Sequence, residues 1–444
     1  MSSLSSVRQS MRQLMPNPCH ITLENRFEVL NRIVMPLYPM DYEKQLQIKY
    51  KKNQQILQNF GHRLRSVNSP VVVNHKGLPC PLESVKGSPL TERYRNKDEF
   101  SVWPGVDGFT KTVGFFVGQP SVHSDVYCVE PDHMVVSRES HLSIAKKFQI
   151  YLKDISQYDS CQNYGDGGHW RRLHIRSNTD GHHMVTAIMH PQDLTQRELD
   201  EEMQRIRDYF DGDQRIKSLY FQASRHTRLS NEKAPFVHLF GDRTITETLF
   251  DKRFEISVDS FFQINTSAAE ILYKNVISEL NATRKTTVLD VCCGTGTLAT
   301  LLAPDVCRVI GIDSSESAIS DARHNAALNG IKNTVFIAGP VEQELPKLVD
   351  DLYSQDIVVV ANPTRGGLHP SVINILREFS RIRKIVFVSC KPEGYASKNF
   401  IHLCLPSDRR NRSLGSPFVP TNAVPVDLFP QTNHCELIIT FERF

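Results

Sequence analysis

The chain has 444 residues, of which 40% are hydrophobic and 23% charged, and its net charge is only +3, the balance of a soluble globular protein of two or three domains. No run approaches the ~18 apolar residues of a membrane span. Its ten cysteines are scattered without a C-x-x-C pair, which argues against a zinc or iron–sulfur cluster and against a secreted disulfide framework.

Residues 1–23 contain Arg8 and Arg12, five serines and no acid, with Leu4, Val7, Met11 and Leu14 at helical spacing. That pattern is similar to a mitochondrial presequence and predicts a mitochondrial matrix location, with the cytosol or nucleus as the alternative. Residues 1–40 are read as an irregular or cleavable segment. Asp41 to Arg65 reads as a helix, with Leu46, Tyr50, Ile56, Leu57, Phe60 and Leu64 near one side and Lys44, Lys49, Lys51 and Lys52 exposed. Residues 1–65 hold ten Lys or Arg against four Asp or Glu, so this arm is more positive than the whole chain. A basic arm suits an anionic partner such as RNA; a solvated helical face explains the charge equally well. Pro70, Pro79, Pro81 and Pro89, with Gly77 and Gly87, make the rest of 41–91 a linker.

Residues 92–255 change to short alternating runs. Phe100 to Trp103, Thr112 to Val117, Trp170 to Arg176, His183 to Ile188, Ser218 to Gln222 and Val237 to Phe240 predict strands, and Leu194 to Phe210 predicts a helix. This is an α+β domain in which Arg95, Lys97, Arg171, Arg172, Arg176 and Arg225 are read as exposed. Basic and aromatic residues interleave on its strands, as on RNA platforms.

Residues 256–444 alternate strands near 286–291, 308–313, 334–338, 356–361, 384–389, 421–427 and 436–442 with helices, which predicts a mainly parallel, doubly wound α/β sheet. Its first unit is Thr287-Val288-Leu289-Asp290, a turn through Gly294-Thr295-Gly296, a short helix, and Val309-Ile310-Gly311-Ile312 closed by Asp313. The glycines let backbone N–H groups approach a ligand, and Asp313 can accept hydrogen bonds from ribose hydroxyls. Gly294, Gly296 and Ala299 also satisfy the G-x-G-x-x-A dinucleotide pattern, and a turn joining core elements is a third reading. Asp290 favours S-adenosylmethionine, because a buried carboxylate there repels a pyrophosphate and suits an ammonium and a sulfonium.

Ligands of such sheets sit at the carboxyl ends of the strands. There Ile357 to Ala361 ends in Asn362-Pro363-Thr364-Arg365, and Ile385 to Ser389 ends in Cys390-Lys391-Pro392. A lone cysteine is more often a buried apolar residue, but its place at the ligand edge makes Cys390 a candidate nucleophile. Uracil C5 attacks a sulfonium methyl only after a thiolate has added to C6, and a base must then remove the C5 proton. Glu436, near the C-terminus, is the candidate base.

With these residues in view, the chain resembles the RNA uridine-5-methyltransferase family, which includes the tRNA T-loop enzymes and their ribosomal RNA relatives. The matching stretches are Ser260-Phe261-Phe262-Gln263-Ile264-Asn265, Asp290 to Gly296, Asn362 to Leu368, Val388-Ser389-Cys390 and Asp427 to Glu436, with Tyr94-Arg95-Asn96-Lys97 at the start of the family's RNA-contacting domain. Within the family the chain is most similar to the animal mitochondrial-type tRNA enzymes. The resemblance implies a Rossmann-like methyltransferase fold, Cys390 as nucleophile and Glu436 as base. It implies a cofactor site lined by Gln263, Asp290, Cys292, Gly294, Gly296, Thr297, Asp313 and Asn362. RNA contacts would come from Asn362, Arg365, Arg95 and Lys97, and the substrate would be a T-loop uridine of tRNA, with ribosomal RNA as the other candidate. Two positions depart from the family pattern: Asn362 stands where Asp is usual, and Lys391 where Asn is usual. Asn362 keeps an acceptor but removes a negative charge, and Lys391 lowers the Cys390 pKa if it points inward. Two rivals stand beside this reading. One is a methyltransferase for exocyclic amines, to whose motif Asn-Pro-Thr-Arg is similar. The other is a non-catalytic RNA chaperone.

Overall fold

Two helices, α1 (Arg26–Val34) and α2 (Tyr42–Ser66), open the described part of the chain in a computed structural model that covers residues 21–118, 126–162, 167–225, 234–349, 352, 356–407 and 415–443. There follow β1 (Lys97–Trp103), β2 (Thr112–Val117), β3 (Tyr127–Val129), α3 (Glu139–Asp154), β4 (Trp170–Ser177), β5 (His183–Met189), α4 (Gln196–Phe210), β6 (Ile216–Ala223) and β7 (Val237–Gly241). The remainder forms β8 (Ile245–Leu249), β9 (Lys252–Ile256), α5 (Thr266–Leu280), β10 (Thr287–Val291), α6 (Thr297–Leu302), β11 (Arg308–Asp313), α7 (Glu316–Leu328), β12 (Thr334–Ala338), α8 (Val341–Val349), β13 (Ile357–Ala361), α9 (Pro370–Glu378), β14 (Ile382–Ser389), α10 (Ala396–Leu403), β15 (Val419–Val426) and β16 (Glu436–Glu442). The chain divides into two compact units, one from residues up to Met40 with Thr91–Ile245, the other from Asp41–Leu90 with the residues from Thr246 on.

The first unit is an α+β domain. Its sheet runs β3-β2-β1-β4-β5-β6-β7, antiparallel throughout except for the β5–β6 pair, which α4 connects. Two aromatic residues of these strands, Phe100 and Trp170, are fully buried in the core that Phe148 and Tyr151 of α3 also join, whereas Phe116 of β2 is exposed. Helix α3 lies where the sequence predicts no element, although Ile144, Ala145, Phe148, Tyr151 and Leu152 form a buried stripe at helical spacing. Helix α1 likewise occupies part of the stretch expected to be irregular. It buries Val29 and Leu30, too few positions to show a period.

Arg95 and Arg176 do not fit the picture of a free basic surface. Arg176 is buried. Arg95 Nε donates to Asp98 Oδ1 at 2.8 Å, and the buried Asp98 also accepts from Ser137 at 3.0 Å and pairs with His141 Nδ1 at 2.8 Å. Asp98 is held down to about 2 because the Arg95 and His141 partners outweigh the cost of its burial.

In the second unit the sheet order is β12-β11-β10-β13-β14-β16-β15. The strands β12 to β14 are parallel, and β16 is antiparallel to both β14 and β15. The strand order reverses between β10 and β13, so the carboxyl ends of these two strands open the crevice where such folds take ligands. The parallel strands read as continuous apolar runs because both faces are covered: all five residues of β10 and of β13 are buried.

Helix α2 belongs to this unit's core. Leu57, Phe60 and Leu64 join the cluster that contains Phe387, Phe400 and Phe441, and the Phe60 ring centroid lies 5.9 Å from that of Phe400. Lys49, expected on the exposed face, is 1% exposed. The proline-rich stretch after α2 is no open tether. Val71, Leu78 and Cys80 are buried in the same cluster, and Leu82 and Lys86 bridge to Ala423 and Val426, covering the outer edge of β15.

Candidate active site

The backbone after β10 curls tightly because Cys292, Gly294 and Gly296 take left-handed conformations at φ +64°, +54° and +72°. The Cys292 and Cys293 N–H groups both donate to Ile312 O, at 2.9 and 3.1 Å, and Gly294 N–H donates to Asp313 Oδ2 at 3.0 Å. The second oxygen, Asp313 Oδ1, accepts from Ser315 N–H at 2.9 Å. Gly296 is required twice over: besides its φ, a Cβ there would stand 2.8 Å from Ala322 Cβ and 3.0 Å from the Phe336 ring. At Gly294 a Cβ would meet nothing within 4 Å, so the loop borders open space that a ligand can fill.

Asp290 faces this region from β10. It is buried, its Oδ2 has no hydrogen-bond partner, and burial followed by the charge of Asp313 pushes its carboxyl up to about 7. An acceptor left unsatisfied in the core costs stability unless a donor or cation completes it. Cys292 is half-buried, with a thiol pushed up to about 12 by burial and by Asp313 and Asp290, which leaves it a lining residue rather than a thiolate. Thr297 is buried at the start of α6, its Oγ1 3.3 Å from that of Thr295. Gln263 is buried and hydrogen-bonds to Tyr273 of α5. Tyr273 is held well above its ordinary value by burial and then by the charges of Asp290 and Glu436. It therefore lies within electrostatic reach of both Asp290 and Glu436. Sequence alone gives no signal for it beyond an apolar helix position.

The second cluster follows from strand register. In the antiparallel β14–β16 pair Ser389 is opposite Leu437, so Cys390, just after Ser389, and Glu436, just before Leu437, leave the last strand pair side by side, close enough for the Glu436 charge to act on the thiol. β15 then places Val426 on the other side of Glu436. Glu436 is 4% exposed, and burial raises its carboxyl to about 8 against the opposing pull of Arg365. Cys390 is half-buried. Burial and Glu436 raise its thiol, while Arg365 donates a hydrogen bond to the sulfur and favours the thiolate. Arg365 comes from the segment after β13, so three neighbouring strand ends bring together Cys390, Glu436 and Arg365. Lys391 is exposed and is not the cation that tunes Cys390. Asn362, half-buried at the end of β13, donates its N–H to Val291 O at 3.3 Å, at the β10–β13 switch point.

Arg95 and Lys97 belong to the first unit. Arg95 is engaged by Asp98, and Lys97 Nζ is 2.6 Å from Glu99. Among the described residues no group of His, Cys, Asp and Glu is arranged to hold a metal ion, and no helix is long and apolar enough to cross a membrane.

Comparison with known proteins agrees with this geometry. Residues 282–401 match the family model described as a methyltransferase domain. The chain is 41% identical to tRNA (uracil-5-)-methyltransferase homolog B from Homo sapiens, over 94% of this chain and 84% of that protein. It is 38% identical to homolog A from Mus musculus, over 93% of this chain and 68% of the relative. Its fold is similar to the crystal structure of Pyrococcus abyssi tRNA (uracil-54, C5)-methyltransferase in complex with S-adenosyl-L-homocysteine, with a TM-score of 0.62 at 21% identity, covering 92% of this chain and 86% of that one. The chain belongs to the tRNA (uracil-5-)-methyltransferase family.

Proposed function

We propose that this chain transfers the methyl group of S-adenosylmethionine to C5 of a T-loop uridine in tRNA, through a transient bond between Cys390 and C6 of the base. The observation that carries this reading is the closeness of Cys390 and Glu436, which flank the Ser389–Leu437 strand pair, beside Arg365. Cys390 adds as the thiolate to C6, and the C5=C6 electron pair moves onto C5. Arg365, hydrogen-bonded to the sulfur, stabilises that thiolate. S-adenosylmethionine, when bound, supplies an electrophilic methyl group for C5. Glu436 then takes the C5 proton, the C5=C6 bond re-forms, and Cys390 leaves as a thiolate.

The residues present suit that cofactor. The unsatisfied Asp290 carboxyl suits its cationic end, and the open face at Gly294 leaves room for it. Asp313, whose oxygens each accept one backbone N–H, keeps lone pairs for ribose hydroxyls. Cys292, Gly296, Thr297 and Asn362 follow the same strand ends, and Gln263 is tied to them through Tyr273, which the Asp290 charge reaches. Asp290→Ala is expected to weaken S-adenosylmethionine binding by about tenfold or more, the size of a lost charge-assisted hydrogen bond, while the melting temperature of the free protein stays level or rises. Calorimetric titration and thermal unfolding check both; unchanged affinity removes Asp290 from the site.

RNA contact by the first unit is part of the proposal and rests on its exposed Arg172 and Arg225 rather than on Arg95. Mapping 5-methyluridine in tRNA and ribosomal RNA from cells lacking the protein tests the function. Loss of the T-loop modification from tRNA supports it, intact tRNA refutes it, and loss confined to ribosomal RNA moves the substrate. The rival reading as an exocyclic-amine methyltransferase gives no role to Cys390 or to the guanidinium aimed at it.

A mitochondrial location is proposed from residues 1–23, of which 1–20 lie outside the described residues. A reporter fused behind them should be imported into mitochondria; a diffuse cytosolic signal counts against it.

A further inference from the structure

Glu436 is the first residue of β16, and residues 427–435 connect it to β15. That connection is a long loop, the kind of segment that ordinarily varies in position. Here one face of α2 holds it along its length. Lys49 Nζ donates to Asp427 Oδ1 at 2.6 Å and to Phe429 O at 2.9 Å. Tyr42 Oη donates to Asp427 Oδ2 at 3.1 Å. Gln45 exchanges two bonds with Gln431, Nε2 to Oε1 at 2.7 Å and Gln431 N–H to Gln45 Oε1 at 2.9 Å. Lys52 Nζ donates to Asn433 O at 3.2 Å. Positions 42, 45, 49 and 52 recur every three or four residues, so they form one stripe on the helix.

Lys52 reaches further than the loop before the base. Its ammonium also pairs with Glu393 at 3.2 Å, and Glu393 lies in the loop that follows the nucleophile Cys390. A single side chain of α2 thus ties the two catalytic loops to each other. Farther along, the helix is anchored by Leu57, Phe60 and Leu64 in the core of the same sheet. The polar stripe is an unusual way to stabilise a helix. Lys49 and Asp427 are 1% and 0% exposed, and a buried ion pair often contributes no more than well-packed apolar side chains of the same volume. What it supplies that apolar contacts do not is a directional fix on particular backbone and side-chain atoms of the loop.

We infer that α2 is a splint that holds the loops flanking the register-matched Cys390 and Glu436, with Lys49 and Lys52 as positioning residues for the loop before the base and the loop after the nucleophile. The inference rests on the proposed roles of Cys390 and Glu436. It assigns to α2 a task other than that of a basic arm for RNA.

Lys52→Met is the decisive variant, because an exposed ion pair contributes little to stability and the protein should fold. Steady-state methylation of a tRNA transcript, thermal unfolding, and recovery of denaturant-stable methylated RNA–protein adduct are measured on the full chain. A misplaced base slows the last step most, so kcat should fall roughly tenfold, in keeping with the cost of small displacements of catalytic groups. KM for RNA and the melting temperature should stay level, adduct should accumulate, and Lys52→Arg should restore most of kcat. Lys49→Arg, which keeps the buried charge but overfills its site, should also lower kcat and accumulate adduct, with some loss of melting temperature. A raised KM at unchanged kcat would make Lys52 an RNA contact and overturn the splint. Unchanged kinetics, or a fall in kcat matched by lost stability without adduct, would overturn it as well. If the wild type transfers no methyl group to RNA, the functional reading fails first and the splint with it.

Discussion

Glu436→Gln is expected to stop the enzyme after a single methyl transfer. The amide keeps the shape of the side chain at the first position of β16, where the carboxyl is buried beside Cys390 and Arg365. Attack by Cys390 and methylation of C5 need no proton acceptor at C5. Release does, because the methylated ring carries a proton there that only a base removes. The variant should consume about one equivalent of methyl donor, then stall as a methylated RNA–protein adduct stable to denaturant, with turnover down by ~10²–10⁴-fold, the usual contribution of a general base. Normal turnover would assign the base elsewhere, with His434 in the preceding loop the nearest alternative. Failure to transfer any methyl group would make Glu436 a residue that holds the uracil.

The pH dependence follows from the same burial. With its carboxyl raised to about 8, roughly one Glu436 in ten is ionised at pH 7. Adduct release should therefore rise as pH increases toward 8 and level off above it, and that rising limb should disappear in Glu436→Gln. Stability runs the other way. The folded protein keeps this proton where the unfolded chain has lost it, so the contribution of Glu436 is fully present below about 4.5 and is lost as pH rises through about 8. Above pH 8 the Gln variant should melt at a higher temperature than the wild type.

Cys390→Ala should abolish methylation, by roughly 10⁴-fold or more given what loss of a nucleophile costs elsewhere, while RNA and S-adenosylmethionine still bind. It should form no adduct under any condition. The double variant with Glu436→Gln should behave as Cys390→Ala alone, because the base acts only on an intermediate that the cysteine creates. Rapid quench of methyl incorporation with filter binding of RNA separates the two effects. Wild-type-like turnover by Cys390→Ala would remove the nucleophile assignment.

Most of the second unit was legible because its strands are buried on both faces, and runs such as Ile357 to Ala361 have no other stable use. Asp290, an acid inside such a run, pointed to a cationic ligand for the same reason. The partnership of Cys390 with Glu436 was not legible from spacing. It depends on β16 entering the sheet antiparallel to β14, which brings residues far apart in sequence into adjacent register. Lys49 misleads by the ordinary rule that lysine on a helix faces water; its partner Asp427 lies at the other end of the chain. Arg365 was visible as a cation after β13, but its hydrogen bond to the Cys390 sulfur was not. Arg95 reads as a surface cation until Asp98 and His141 are seen beneath it. Tyr273 carries no signal because a tyrosine on an amphipathic helix is usually core.

The most direct test of the covalent route uses tRNA containing 5-fluorouridine, in which the fluorine at C5 cannot leave as a proton does. The wild-type chain is incubated with this RNA and S-adenosylmethionine, denatured and digested, and the RNA-bound peptide is identified by mass. The expected product is a methylated 5-fluorouridine joined to the peptide containing Cys390, absent from Cys390→Ala. Methylated RNA with no protein attached, or attachment through another residue such as Cys292, would contradict it.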